Sequence, residues 1–160
     1  MKKVVLTGLA LCLISCSDKV LDTQQSDSGS NNDFTLTLTI SDDIVYLNSS
    51  IKITAVVERK VHKDSIDGYV SMQMKMDAVG GKIDGQNFTS VSSTSTSPAT
   101  ITVSMDNEAG SKFEALAFFL PTYLYNTSKK EYYNFMERGQ VSASFDNINV
   151  TIPVNMVEPR

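Results

Sequence analysis

Phe34-Thr35-Leu36-Thr37-Leu38-Thr39-Ile40 alternates apolar and polar residues without a break. A strand turns successive side chains to opposite faces, so this period of two puts Phe34, Leu36, Leu38 and Ile40 on one face and three threonines on the other. That is a half-buried strand, and the same period recurs along the chain. In SIKITAVVE it sets Ile51, Ile53, Ala55 and Val57 together. In YVSMQMKM it groups Val70, Met72, Met74 and Met76, and in ATITVSM it groups Ile101, Val103 and Met105. VTIPVNMV turns Val150, Ile152, Val154 and Met156 inward. Pro153 lies on the other face of that strand and cannot donate to a ladder, which predicts an edge or a bulge there. KFEALAFFL is apolar at every position from Ala115 onward, the pattern of a central strand covered on both faces.

The connectors between these runs carry turn chemistry: Asp67-Gly68, Gly80-Gly81, Asp84-Gly85, Asp106 to Gly110, and Asp146-Asn147. About seven to nine short strands spaced by such turns predict an all-β, antiparallel sandwich. The succession of a Gly-Gly strand, a Ser/Thr-rich segment (Thr89–Thr102, expected as solvent-facing strand and loop), ATITVSM, an Asp/Gly turn and KFEALAFF resembles the bacterial Ig-like domains of surface proteins. That resemblance spans residues 34–157 and implies an Ig-like β-sandwich. The chain has no tryptophan, so the Cys…Trp…Cys core of antibody domains is absent. NTSKKEYYNFMERGQ departs from the strand period. Ser128 and Glu131 could form a capping box ahead of a short helix near 129–138, closed by Gly139. The same residues could instead form a hairpin, TYLYN against EYYNF, and the pattern leaves both open.

The chain of 160 residues opens with Met1-Lys2-Lys3 and an apolar run from Val4 to Ile14. A short charged head before an apolar stretch well under 20 residues has the form of a secretory signal rather than a membrane span. The run ends Leu13-Ile14-Ser15-Cys16, which resembles the lipobox of bacterial lipoproteins. That resemblance implies a signal peptide over 1–15, cleavage before Cys16, and lipidation (a diacylglyceryl and a palmitate-type acyl group) on Cys16. Ser17 after the cysteine implies sorting to the outer membrane of the cell envelope, on its surface or its periplasmic face. Several acyl chains on one residue exceed what stable anchoring needs, at ~0.8 kcal/mol per buried CH₂. Cys12 would leave with the signal, so the mature chain would have no disulfide.

Residues 16–33 are rich in Ser, Asp, Gln and Asn, the composition of a flexible tether, and the sandwich follows over 34–157. The chain carries 14 basic and 18 acidic residues; loss of Lys2 and Lys3 would leave 12 against 18, a net charge of −6. Such a surface is unsuited to nucleic acid. The one basic run, Arg59-Lys60-Val61-His62-Lys63, reads as a solvated turn.

Few residues offer chemistry. Thioethers suit Cu(I), so Met72, Met74 and Met76 are a conceivable copper set, but alternate methionines on a strand are first of all a core face. Asp106, Asn107 and Glu108 could offer oxygens to a cation, yet they also suit a turn and lack EF-hand spacing. A single histidine, no mature thiol and no nucleophile motif predict a non-enzyme without a cofactor. Tyr123, Tyr125, Tyr132 and Tyr133 surround a polar, lysine-bearing segment late in the fold. Some are expected to cover the core. Exposed ones would form a surface for a protein or glycan partner. The sequence therefore predicts a lipid-anchored envelope lipoprotein with one Ig-like module that binds a protein or a glycan.

Overall fold

The computed structural model describes residues 23–85 and 99–159. The expected signal peptide, Cys16, the start of the tether and most of the Ser/Thr-rich segment lie outside the described residues. Twelve strands follow in chain order: β1 (Gln25–Ser30), β2 (Phe34–Ile40), β3 (Ile44–Tyr46), β4 (Ile51–Arg59), β5 (Gln73–Val79), β6 (Gly81–Gly85), β7 (Ala99–Thr102), β8 (Lys112–Pro121), β9 (Leu124–Asn126), β10 (Glu131–Tyr133), β11 (Arg138–Phe145) and β12 (Ile148–Val157). One sheet has the order β1-β2-β4-β8-β6, the other β3-β12-β11-β5-β7, and β9 with β10 forms a separate two-stranded ribbon.

The two sheets are the layers of a β-sandwich. The order β2-β4-β8-β6 facing β12-β11-β5 is the four-against-three arrangement of an Ig-like fold. Between Ile40 and Ile44 the chain crosses from one sheet to the other, so that β3 pairs in parallel with the end of β12. The expected antiparallel rule therefore has one exception. The strands number more than seven to nine because β1, β3, β9 and β10 are short or polar and leave no period in the sequence.

The core is built from the alternating faces. Phe34, Leu36, Leu38 and Ile40 of β2 and Ile53, Ala55 and Val57 of β4 are fully buried. They face Met74 and Met76 of β5, Val141, Ala143 and Phe145 of β11, and the even-numbered residues of β12 from Ile148 to Met156. Burial of this apolar surface is the main favourable term in folding, at about 25 cal/mol per Å².

Three local features follow from residue chemistry. Asp146 and Asn147 both have positive φ, 42° and 63°, which makes the β11–β12 connection a two-residue type I′ hairpin. Counting hydrogen-bonded pairs back from that turn makes Gln140 and Pro153 a non-bonded pair. The nitrogen of Pro153 thus faces away from β11, on a side where β3 pairs only residues 155–157, so the proline sits at an edge as expected. Gly80 lies where the chain leaves β5 in one sheet for β6 in the other. It has φ 82°, a conformation that side chains resist, and a Cβ there would press on the Met156 methyl group.

Three expectations are corrected and one open alternative is decided. The tether does not run to residue 33: Gln25–Ser30 pairs along the whole of β2, and Gly29, where a Cβ would lie 2.8 Å from Ile148 Cγ2, lets β1 pack closely on β12. No helix forms over 129–138; the hairpin alternative holds, as β9 and β10. β8 is covered on one face only. Ala115, Ala117 and Phe119 are buried, but Leu116 and Phe118 are 47% and 49% exposed, since no further layer among the described residues lies over that sheet. Thr89–Thr102 ends in β7, where Ala99 and Ile101 are buried rather than solvent-facing.

Candidate functional site

The register gives the sandwich two distinct ends. Phe34 pairs with Arg59, and Asp146-Asn147 turns beside them; this is the turn end. Ile40 pairs with Ile53, and Ile51 with Phe119, so β8 leaves the sheet at the other end, where β9 and β10 follow. This is the ribbon end.

The ribbon is ordered by local polar contacts. Asn126 Oδ1 accepts hydrogen bonds from the backbone N–H groups of Ser128 (3.0 Å) and Lys129 (3.1 Å), the side-chain turn that asparagine favours. Lys130 takes φ 55° at the loop end, and Lys129 Nζ lies 3.6 Å from a Glu131 carboxylate oxygen. Tyr132 pairs with Tyr125 across the strands and Tyr133 with Leu124. Tyr123, Tyr125 and Tyr132 thus share one face. The ring centroid of Tyr132 is 5.1 Å from that of Tyr123, edge-on at 68°, and 4.8 Å from that of Tyr125. Such offset and edge contacts are favourable between aromatic quadrupoles.

The four predicted tyrosines therefore divide. Tyr123 and Tyr132, with Phe135, pack against the core. Tyr125 and Tyr133 are 43% and 47% exposed on opposite faces of the ribbon, beside exposed Leu124 and Met136. Loss of water among these rings raises the Tyr132 phenol above its ordinary value of 10.0, helped by the neighbouring Tyr123 and Tyr125 phenols and the Glu158 carboxylate.

A second exposed apolar surface, missed in the sequence, is the outer face of β8. Leu116 pairs with Thr54, and Phe118 lies between Lys52 and Asp84 on the flanking strands. The threonines of β2 continue this face sideways. The result is a sheet face with apolar side chains at its centre and charged ones at its rim.

At the turn end a concavity of about 460 Å³ is lined by Phe34, Arg59, Ile66, Tyr69, Val70 and Met72, among others. Arg59 is buried there, against the expected solvated turn. Its Nε donates to the Asp106 carbonyl (3.1 Å) and its guanidinium lies 5.2 Å from the Phe34 ring centroid. A carbonyl and an aromatic face are the partners that let a guanidinium leave water. Lys60 is exposed and donates to the Asn31 carbonyl at 2.6 Å. His62 Nδ1 accepts from the Asp64 N–H (3.2 Å), with Glu108 3.6 Å from its Nε2.

The other chemistry-bearing residues have structural surroundings. Met74 and Met76 are fully buried among core side chains, while Met72 lies partly buried at the turn end. The three thioethers thus do not form one accessible set. In the segment from Asp106 to Glu108, the carbonyls of Asp106 and Glu108 accept the Ser111 hydroxyl, and Gly110 with φ 84° closes a turn.

No family model matches the chain, and neither does any curated protein. Among solved structures it is similar to a β-glucosidase from Listeria innocua. The glucose complex of that enzyme gives a TM-score of 0.37 at 12% identity, and the isofagomine complex 0.34 at 11%. These likenesses cover 83% of this chain but only 16% of the enzyme, and at such scores they carry no argument about activity.

Proposed function

We propose that this protein is a bacterial envelope lipoprotein, held by lipid on Cys16 at the outer membrane, whose single Ig-like sandwich is a non-catalytic contact module for a protein or glycan partner. The anchor rests on Leu13-Ile14-Ser15-Cys16 after a charged head and an apolar run. The contact role rests on one observation: Leu116 and Phe118, on a sheet face that also carries Val56 and Leu120 among polar and charged residues, stand about half exposed. Contiguous apolar surface on a folded domain marks an interaction site, and a flat sheet face suits another folded surface or an extended glycan. The acidic balance after processing argues against nucleic acid.

The test is capture from intact cells with the acylated chain and with a Leu116→Ser, Phe118→Ser variant, alongside a panel of envelope polysaccharides. Each substitution is expected to change stability by about 1 kcal/mol or less, because neither side chain is in the core. Loss of at least about 2 kcal/mol of affinity for the captured protein, or for one polysaccharide, would mark this face as the contact centre. An unchanged set of captured molecules would overturn it.

A further inference from the structure

Exposed large apolar side chains gather at the ribbon end. The ribbon offers Leu124, Tyr125 and Tyr133, Met136 follows it, and β3 adds Ile44 and Tyr46 beside the same end. At the turn end, Tyr69 is the one comparably exposed side chain among the described residues. The chain also enters the fold at the ribbon end. Gln25 pairs with Ile40, the residue of β2 that pairs with Ile53. β1 lies three strand spacings from β8, about 14 Å, and the ribbon begins just beyond Pro121.

Eight residues separate Cys16 from Gln25. Covalent geometry limits their span to about 30 Å, roughly the length of the sandwich's own longest strands. A chain tied to a bilayer at Cys16 thus holds Gln25, at the ribbon end, within about 30 Å of that bilayer. Tyrosine, with an apolar ring and a polar tip, is suited to the boundary between lipid and water, and lysine can lay its stem along apolar surface with its charge in the headgroups. Lys129 and Lys130 sit at the ribbon tip.

We propose that the ribbon end seats in the headgroup layer of the bilayer that holds the Cys16 anchor, with Tyr125, Tyr133 and Met136 entering the lipid–water boundary. This deepens the lipoprotein reading and rests on it. The charges nearby nearly cancel: Lys129 is paired with Glu131, while Lys52, Lys130 and Arg138 are offset by Asp42, Asp43, Glu137 and Glu158. The attraction is therefore apolar. It operates on zwitterionic phosphatidylcholine and changes little with salt.

The experiment uses the full acylated protein in phosphatidylcholine vesicles, with an environment-sensitive fluorophore on Ser128→Cys at the ribbon tip or on Asp67→Cys at the turn end; both positions are exposed. The label at 128 is expected to brighten several-fold on vesicles, and the label at 67 to stay at its aqueous value. Adding Tyr125→Ser and Tyr133→Ser should return the label at 128 toward the aqueous value while the chain still floats with the vesicles. If an acylated, vesicle-bound chain leaves both labels aqueous, the docking is overturned and the anchor stands. Brightening at both sites overturns end-specific seating. A chain that carries no acyl mass and does not float overturns the anchor and the docking together.

Discussion

The turn end and the ribbon end of the sandwich close the same core with opposite chemistry. At the turn end, Phe34 meets Phe145 edge-on at 5.1 Å under the Arg59 guanidinium, and the chain is sealed by polar contacts. Asn31 donates to Asp146 there, and Ser111 to the Asp106 carbonyl. At the ribbon end the closure is made by the ring cluster of Tyr123, Tyr125 and Tyr132, and two tyrosines, Tyr125 of the cluster and Tyr133 on the other face, remain nearly half exposed. An end sealed by buried rings and satisfied polar groups serves stability. An end that leaves rings exposed has surface to spare for contact, and the position of a side chain relative to the core decides which role it has.

The largest expected effect breaks the turn end. Phe34→Ala removes a fully buried ring from between Phe145 and Arg59, and should cost about 3–5 kcal/mol in denaturant unfolding. Tyr132→Ala tests the middle of the comparison. It removes the ring that joins Tyr123 to Tyr125, and a partly buried residue of this kind should cost about 1–3 kcal/mol. A loss as large as that of Phe34→Ala would make the ribbon part of the core and erase the contrast between the ends. Tyr125→Ser with Tyr133→Ser should be smaller, within about 1 kcal/mol together, since surface changes usually stay near 0.5 kcal/mol each.

The smallest effect is alkaline. The Tyr132 phenol ionises above its ordinary value in the fold, so the folded state keeps a proton that the unfolded chain releases near pH 10.0. Its contribution to stability is therefore full below pH 10.0 and is lost as pH rises from there through the folded value. Ultraviolet titration should show one tyrosine ionising later than the rest, and Tyr132→Phe should remove that late step. Uniform ionisation of all six tyrosines would contradict the packed ring cluster.

Much of the sandwich was legible because burial imposes a period. β2, β4 and β12 each keep one face in the core, and their alternation in sequence is the direct imprint of that face. β1 leaves no such imprint. Its QSDSGS is polar throughout and is held by pairing to β2 and by the close approach that Gly29 permits. β8 misled in the other direction: an apolar run reads as two covered faces, whereas among the described residues nothing covers Leu116 and Phe118, which are about half exposed. Arg59 misled because a cation in a charged run looks solvated; its burial depends on a ring and a carbonyl distant in sequence. Of the tyrosine set, density around a polar segment located the ribbon, but only packing against the core sorts Tyr123 and Tyr132 from Tyr125 and Tyr133.

The most direct test of the whole account is the intact mass of the chain extracted from its own membrane, compared with Cys16→Ala. The native chain is expected to begin at Cys16 and to carry the added mass of its acyl groups, and the variant to have neither that start nor that mass and to leave the membrane fraction. A native chain that retains residues 1–15, or that bears an unmodified Cys16 thiol, would contradict it.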